Sequence, residues 1–331
     1  MKLYKWIKVF IIAFIITFLG FFVETDYFIM RPSRAVDLTE IIKVENEDIQ
    51  ERGLFHLLTV TQQRASFFTA AYGYFHPYME LNPRDRVIPR DMDEEEYRDL
   101  LAEHMEESKH IAQVVALRQA GYEVEIESDG VEAVDFVEGK PAEDYLEVGD
   151  KINLVDGKEV FLASEVPVLV QDREIGEEVQ MKITRNDQEL EVSIPTVPHP
   201  DDENLPSIGV YIQTLDWEPV LPVEITMDTG NIGGPSAGLM FTLEILNQLT
   251  PDDLTGGTNI AGTGKIDLDE KVGSIGGVAQ KMIAAEEADI EYFLIPEGNY
   301  EEAKEAATTV EVIPVSELED ALAFLEELRD N

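Results

Sequence analysis

From Ile7 to Val23 the chain reads Ile-Lys-Val-Phe-Ile-Ile-Ala-Phe-Ile-Ile-Thr-Phe-Leu-Gly-Phe-Phe-Val, with no acid before Glu24. A run this apolar cannot serve as a surface loop or a solvated strand; protein or lipid must enclose it. As a helix it would be about 25 Å long, a slightly short membrane crossing with Lys8 able to snorkel to the boundary. A cleaved leader would end in a small-x-small site, which Phe21-Phe22-Val23-Glu24 does not offer. The sequence therefore predicts a retained single-pass anchor over 7–23 behind a short tail over 1–6. Lys2, Lys5 and Lys8 sit on the near side. That places the tail in the cytoplasm and the rest of the chain outside the cell membrane.

The 331 residues, 44% of them hydrophobic, are enough for two soluble domains beyond the anchor. Cysteine is absent, which removes disulfides, thiolate catalysis and cysteine-ligated zinc together. The formal charge is -43; the three lysines before Glu24 are positive, so the remainder is more negative still. Such an excess of acid argues against nucleic acid and against docking on anionic lipid. Spread along the whole exterior part, it reads as a strongly hydrated surface suited to salty or alkaline surroundings, with selection of basic substrates as the alternative.

Arg31 to Leu38 reads as a short extended lead-in. Leu54 to Val60 reads as a buried strand, and Phe67, Phe68, Ala71, Tyr72 and Phe75 then recur at helical spacing, the pattern of a core face. Asp93 to Arg118 reads as a charged amphipathic helix with Asp91 or Asp93 as its cap. Between Gly121 and Pro195 the character changes to short alternating strands separated by Gly, Pro and Asp turns. Gly130-Val131-Glu132-Ala133-Val134, Gly139-Lys140-Pro141-Ala142, Leu146 to Ile152, Val155-Asp156-Gly157-Lys158 and Val179 to Arg185 follow in an order that resembles a bacterial PDZ domain. Domains of that kind receive an extended peptide as an added strand. The resemblance implies peptide binding at Asp129, Gly130 and Val131, although an acid there is a poor neighbour for a peptide carboxylate.

From Leu205 onward the chain is α/β-like. Strands are expected at 208–212, 223–227 and 292–296, and helices at 236–249, from Lys281 to Ala288, and at 317–329. Within this part lies Gly233-Gly234-Pro235-Ser236-Ala237-Gly238. A serine hydroxyl is a poor nucleophile until a base removes its proton. The glycines allow a sharp turn, and the following helix aims its positive end at the same place, where backbone amides can hold an oxyanion. Ser236 as a mere helix cap explains the hexapeptide equally well. Lys281 shifts the balance. It lies among Val278, Ala279, Met282, Ile283, Ala284 and Ala285 in a chain with 25 basic residues against 68 acids. Burial there would lower its pKa and let it act as a base. A lysine snorkelling from an amphipathic helix is the simpler alternative.

Gly-Gly-Pro-Ser-Ala-Gly-Leu from Gly233, then Gly262-Thr263-Gly264-Lys265-Ile266, Val272-Gly273-Ser274-Ile275-Gly276-Gly277 and Lys281, resembles the proteolytic domain of Lon-type (S16-type) serine proteases. With the apolar amino terminus and the PDZ-like segment, the chain looks like the membrane-anchored, PDZ-containing, Lon-like proteases of Gram-positive bacteria. The resemblance implies Ser236 as nucleophile, Lys281 as general base and Thr263 as a support for the lysine, with Gly233, Gly234 and Pro235 shaping the turn. It implies an α+β fold: a Lon-type proteolytic domain over 205–331, opened by a strand and helices within 36–118, with a PDZ-like β domain inserted over 119–197. Lys265, where relatives often have threonine, and Asp269-Glu270, where they often have Asp-Gly, depart from the pattern outside the dyad.

No cofactor is expected. Gly257 to Gly262 has the glycine spacing of a phosphate loop, but Thr263-Gly264-Lys265-Ile266 follows where Lys-Ser or Lys-Thr is required, so ATP is not expected either. His104 and His110 face apart on one helix, which argues against a metal. The expected partners are a peptide or unfolded protein substrate and the membrane. Lon-type domains often form rings, which leaves a homo-oligomer open. A signal-peptidase-like enzyme would need a serine soon after the anchor. The other rival is an inactive PDZ scaffold.

Overall fold

Lys2–Phe22 forms one helix, α1. It starts at Lys2, so the tail expected over 1–6 is the helix's first turns. Its described side chains, Phe10, Phe14 and Phe18 among them, face outward. Among the described residues no helix is long and apolar enough to cross a membrane, and several side chains of α1 fall outside them. The expected anchor thus finds no support in the described part of α1. The computed structural model describes residues 2–45, 53–89, 92–199, 204–288 and 290–330.

Strand β1 (Glu24–Asp37) follows α1 at once. The stretch read as a lead-in at Arg31 to Leu38 is therefore mostly sheet. β1 pairs antiparallel with β2 (Leu54–Ser66). Ser66 then caps α2 (Phe67–Phe75) by accepting from the Thr69 amide. Here the structure corrects the sequence: Phe67, Tyr72 and Phe75 are exposed rather than core. α2 instead meets β1 at Gly73, where a Cβ would lie 2.7 Å from the Ile29 side chain. β3 (Glu80–Pro83) pairs with the outer edge of β1. α3 (Glu94–Gln119) starts from a capping box in which Asp93 accepts from the Glu95 and Glu96 amides; Asp91 lies outside the described residues.

The chain then forms the second of two units, Val124–Val220; the first comprises Met1–Glu123 and Leu221–Asn331. The second unit contains β4 (Val131–Phe136), β5 (Lys151–Val155), α4 (Glu165–Gln171), β6 (Glu178–Arg185), β7 (Gln188–Pro195) and β8 (Val210–Thr214). The strand order is β7-β6-β5-β4-β8. Val131, Ile152, Met181 and Ile183 bury one face of this sheet with Val166 and Val170. Each such side chain is worth about 1.5–3 kcal/mol when fully buried. The strand expected at 208–212, grouped by its sequence position with the α/β part, belongs here: Val210 to Thr214 pair with β4. Apolar alternation marks a strand but does not say which sheet it joins.

Back in the first unit come α5 (Gly238–Leu249), β9 (Asn259–Gly262), α6 (Val278–Glu287), β10 (Tyr292–Pro296), β11 (Glu311–Val315) and α7 (Leu318–Asp330). The main sheet has the order β11-β10-β9-β2-β1-β3. β2, β9, β10 and β11 run parallel, while β1 is antiparallel to β2. Parallel neighbours require a crossover, and α6 supplies the one from β9 to β10. α5 is buried from Gly238 to Gln248, with Thr242, Glu244, Asn247 and Gln248 enclosed among its apolar residues.

Candidate active site

The crossover decides where the polar groups meet. Val278, Met282 and Ala285 of α6 pack on Leu58, Ala261 and Phe293. Lys281 lies on the same stripe and is carried inside, only 2% exposed. Thr263 follows the last residue of β9 and is fully buried. Ser236 lies two residues before the first turn of α5.

Lys281 Nζ lies 3.0 Å from Ser236 Oγ and 2.7 Å from Thr263 Oγ1 and can donate to both. Thr263 Oγ1 donates in turn to the Ser236 carbonyl oxygen at 2.9 Å, and the Gly264 amide donates to that same oxygen at 2.9 Å. Burial alone lowers the Lys281 pKa from 10.5 to about 7. Burial is the cause acting on it among the described residues, so the amine passes from charged to neutral around pH 7.

The serine turn is braced by α3. Gly234, at φ +89°, donates its N–H to the Leu101 carbonyl at 2.9 Å. Ser108 Oγ donates to the Pro235 carbonyl at 3.3 Å. The Gly234 amide is therefore already bonded within the fold. The Ser236 and Ala237 amides have no acceptor among the described residues. Gly233, Gly234, Pro235, Ser236 and Lys281 line a cavity of about 370 Å³.

Apart from Lys265, its other walls were not singled out in the sequence. Ser33 and Arg34 enter from β1, Thr59 and Val60 from β2 and Met105 from α3. Arg34 is placed by a register shift between Pro32 and Ala35, and Thr59 Oγ1 donates to its carbonyl at 3.1 Å. No local pattern announces a bulge of this kind. Lys265 also lines the cavity. Near it is Glu107, whose carboxyl is raised by burial and by Glu103, an effect Lys265 partly offsets.

In the second unit, Asp129, Gly130 and Val131, expected to bind peptide, are engaged by their own neighbours. Gly130 N–H donates to Ser128 Oγ at 2.9 Å, Asp129 N–H to the Asp216 carbonyl at 3.0 Å, and the Gly130 carbonyl accepts from Leu215 at 2.9 Å. Val131 is fully buried. β4, which it begins, has β5 on one side and β8 on the other. A strand with both edges paired cannot accept another. The outer position belongs to β8, which ends the sheet.

Comparison with known proteins adds the family context. Residues 221–326 match the Lon protease (S16) C-terminal proteolytic domain, and residues 119–196 match the PDZ domain. The chain carries both domains. It is 38% identical to the Lon protease of Campylobacter jejuni over 96 residues, covering 28% of this chain and 12% of that one. It is 32% identical to the Lon protease of Campylobacter concisus over 149 residues, covering 43% of this chain and 18% of that one. The chain thus matches less than a fifth of the length of these relatives. Among solved structures, the PDZ domain of the SdrC-like protein from Listeria monocytogenes is 22% identical and covers 27% of this chain and 92% of that domain, with a TM-score of 0.25.

Proposed function

We propose that the protein is a membrane-tethered, extracytoplasmic serine endopeptidase that cleaves short or unfolded polypeptides without ATP, using Ser236 as nucleophile and Lys281 as general base. The observation that carries this reading is the buried Lys281 amine 3.0 Å from Ser236 Oγ. The Thr263 hydroxyl hydrogen is committed to the Ser236 carbonyl, so Thr263 Oγ1 can only accept from the lysine. A neutral amine that donates one N–H to Thr263 can turn its lone pair toward the Ser236 hydroxyl. Ser236 Oγ then attacks the peptide carbonyl while Lys281 takes its proton. The proton passes to the departing amine, and water attacks the acyl-enzyme with Lys281 again as base. The amides of Ser236 and Ala237, at the start of α5, hold the oxyanion in this reading; such a donor is worth about 3 kcal/mol of barrier.

Two further parts belong to this reading. α1 anchors the chain, supported by its 21-residue length and by the outward Phe10, Phe14 and Phe18. The second unit receives an extended segment of substrate along β8. Amides of Val210 to Thr214 gain hydrogen-exchange protection on adding substrate, while those of Gly130 to Glu132 stay unchanged; the reverse pattern returns the site to the Gly130 loop.

The test uses the full chain in detergent with an unfolded protein substrate. Cleavage proceeds equally with and without ATP, Ser236 reacts with an active-site phosphonate, and Ser236→Ala abolishes both. Absence of cleavage and of labelling in the unaltered chain favours a peptide-binding scaffold.

A further inference from the structure

The exposed aromatic face of α2 has no role in the chemistry above. Tyr74 is 79% and Phe75 83% exposed, and Phe67, Tyr72 and Tyr78 are exposed beside them. From Ala65 to Met79 the chain contains no Asp, Glu, Lys or Arg, although acids are 68 of its 331 residues. Rings with polar tips are suited to the boundary between hydrocarbon and water, where one end is apolar and the other wet.

The position of α2 points to that boundary. The Phe67 amide donates to the Val23 carbonyl, so α2 begins beside the last turn of α1. Phe21 and Phe68 meet with ring centroids 5.0 Å apart. Gly20 permits this approach, because a Cβ there would lie 2.2 Å from the Phe68 ring. A helix of α1's length covers about 30 Å, the thickness of a bilayer's hydrocarbon core. Its carboxyl end, and α2 with it, then falls at headgroup level. β1 starts at Glu24, two residues past the end of α1, which leaves no slack between anchor and sheet.

We propose that α2 and the carboxyl end of α1 form an aromatic collar that lies in the interfacial layer of the bilayer and seats the proteolytic unit on the membrane surface. The proposal rests on reading α1 as the anchor. Attachment is through ring burial, because a chain of net charge -43 is not drawn to anionic headgroups. The partner is therefore a zwitterionic lipid surface.

The native chain has no cysteine, so one introduced cysteine is a unique labelling site. The full chain carrying Tyr74→Cys, Phe75→Cys, Phe14→Cys or Glu305→Cys is labelled with an environment-sensitive fluorophore and reconstituted into phosphatidylcholine vesicles. Exposed positions 74 and 75 tolerate the change without loss of fold, which the melting temperature checks. Labels at 74 and 75 should shift to the blue, brighten several-fold and be quenched best by headgroup-level lipid nitroxides. The label at 14 should be quenched best by nitroxides deep in the acyl chains, and that at 305 by iodide in water. If 74 and 75 behave like 305 while 14 is lipid-quenched, the collar is wrong and the anchor stands. If 14 also behaves like 305, the anchor reading fails and takes the collar with it. A blue-shifted label at 74 that no lipid nitroxide quenches means a protein surface, such as a second copy, covers α2, and this too overturns the proposal.

Discussion

Two helices of the first unit break the usual polarity pattern in opposite directions. α6 carries a lysine into the core among Val278, Met282 and Ala285. α2 turns Tyr74 and Phe75 outward. Helices normally place apolar residues inside and charged ones outside, and departures concentrate where a site needs them. In α6 the departure costs stability and lowers the pKa of the buried amine to about 7, as the proposed base requires. In α2 it exposes apolar area where the folded unit gains nothing from it. The difference teaches that one kind of misfit is felt by the protein itself, the other only by whatever covers it.

The largest effect tests the buried side of this contrast. Lys281→Met should lower kcat/KM by about four orders of magnitude or more, the scale seen when a member of a catalytic unit is removed. It should also raise the melting temperature, since a methionine of similar length suits the apolar pocket better. A variant that loses activity by unfolding would break the comparison, and a thermal melt run beside the assay decides. The sign of the pH dependence follows from the lowered pKa. Between about 7 and 10.5 the unfolded chain holds a proton on Lys281 that the folded chain does not. Native stability should therefore rise with pH through that window, and Lys281→Met should remove that rise.

Activity should show the same group from the other side. It should increase as pH rises through about 7, as the amine becomes neutral. A profile that stays flat into mild acid would sink the assignment of Lys281 as base. Thr263→Val keeps the shape but removes the acceptor 2.7 Å from Lys281 Nζ and the donor to the Ser236 carbonyl. A buried hydrogen bond of this kind is worth about 1–3 kcal/mol, so a loss of roughly tenfold to hundredfold in kcat is expected. The midpoint of the pH profile should move with it, which a purely structural role for Thr263 would not produce. The smallest effect belongs to the exposed side. Tyr74→Ser and Phe75→Ser should change stability in detergent by no more than about 0.5 kcal/mol and leave hydrolysis of a soluble peptide unchanged.

Much of the architecture was legible because it is local. The capping box at Asp93, the mostly apolar α5 and the short buried strand at Tyr292 to Pro296 each follow from residues within a few positions of one another. Ser236, Lys281 and Thr263 were singled out by motif, and the fold brings all three within hydrogen-bond distance. What was not legible depended on distant partners. Aromatic spacing in α2 matches a core face, but whether that face meets protein is decided by β1, which contacts α2 at Gly73 instead. Gly130 has the φ of a binding-loop glycine at +91°, yet Ser128 already takes its amide. Leu101 and Ser108 lie in a charged helix with nothing to mark them, and their role exists only because α3 lies beside the serine turn.

By itself, then, the sequence determined most of the segments that become helix or strand and pointed to three polar side chains that the fold brings together, because periodicity, capping and turn chemistry are read from neighbouring residues. Only the tertiary structure decided which amides remain to hold a ligand, which strand edge lies outermost and which apolar face is left uncovered. Those are properties of what remains after segments far apart in the chain have paired, and no short stretch of residues contains that information.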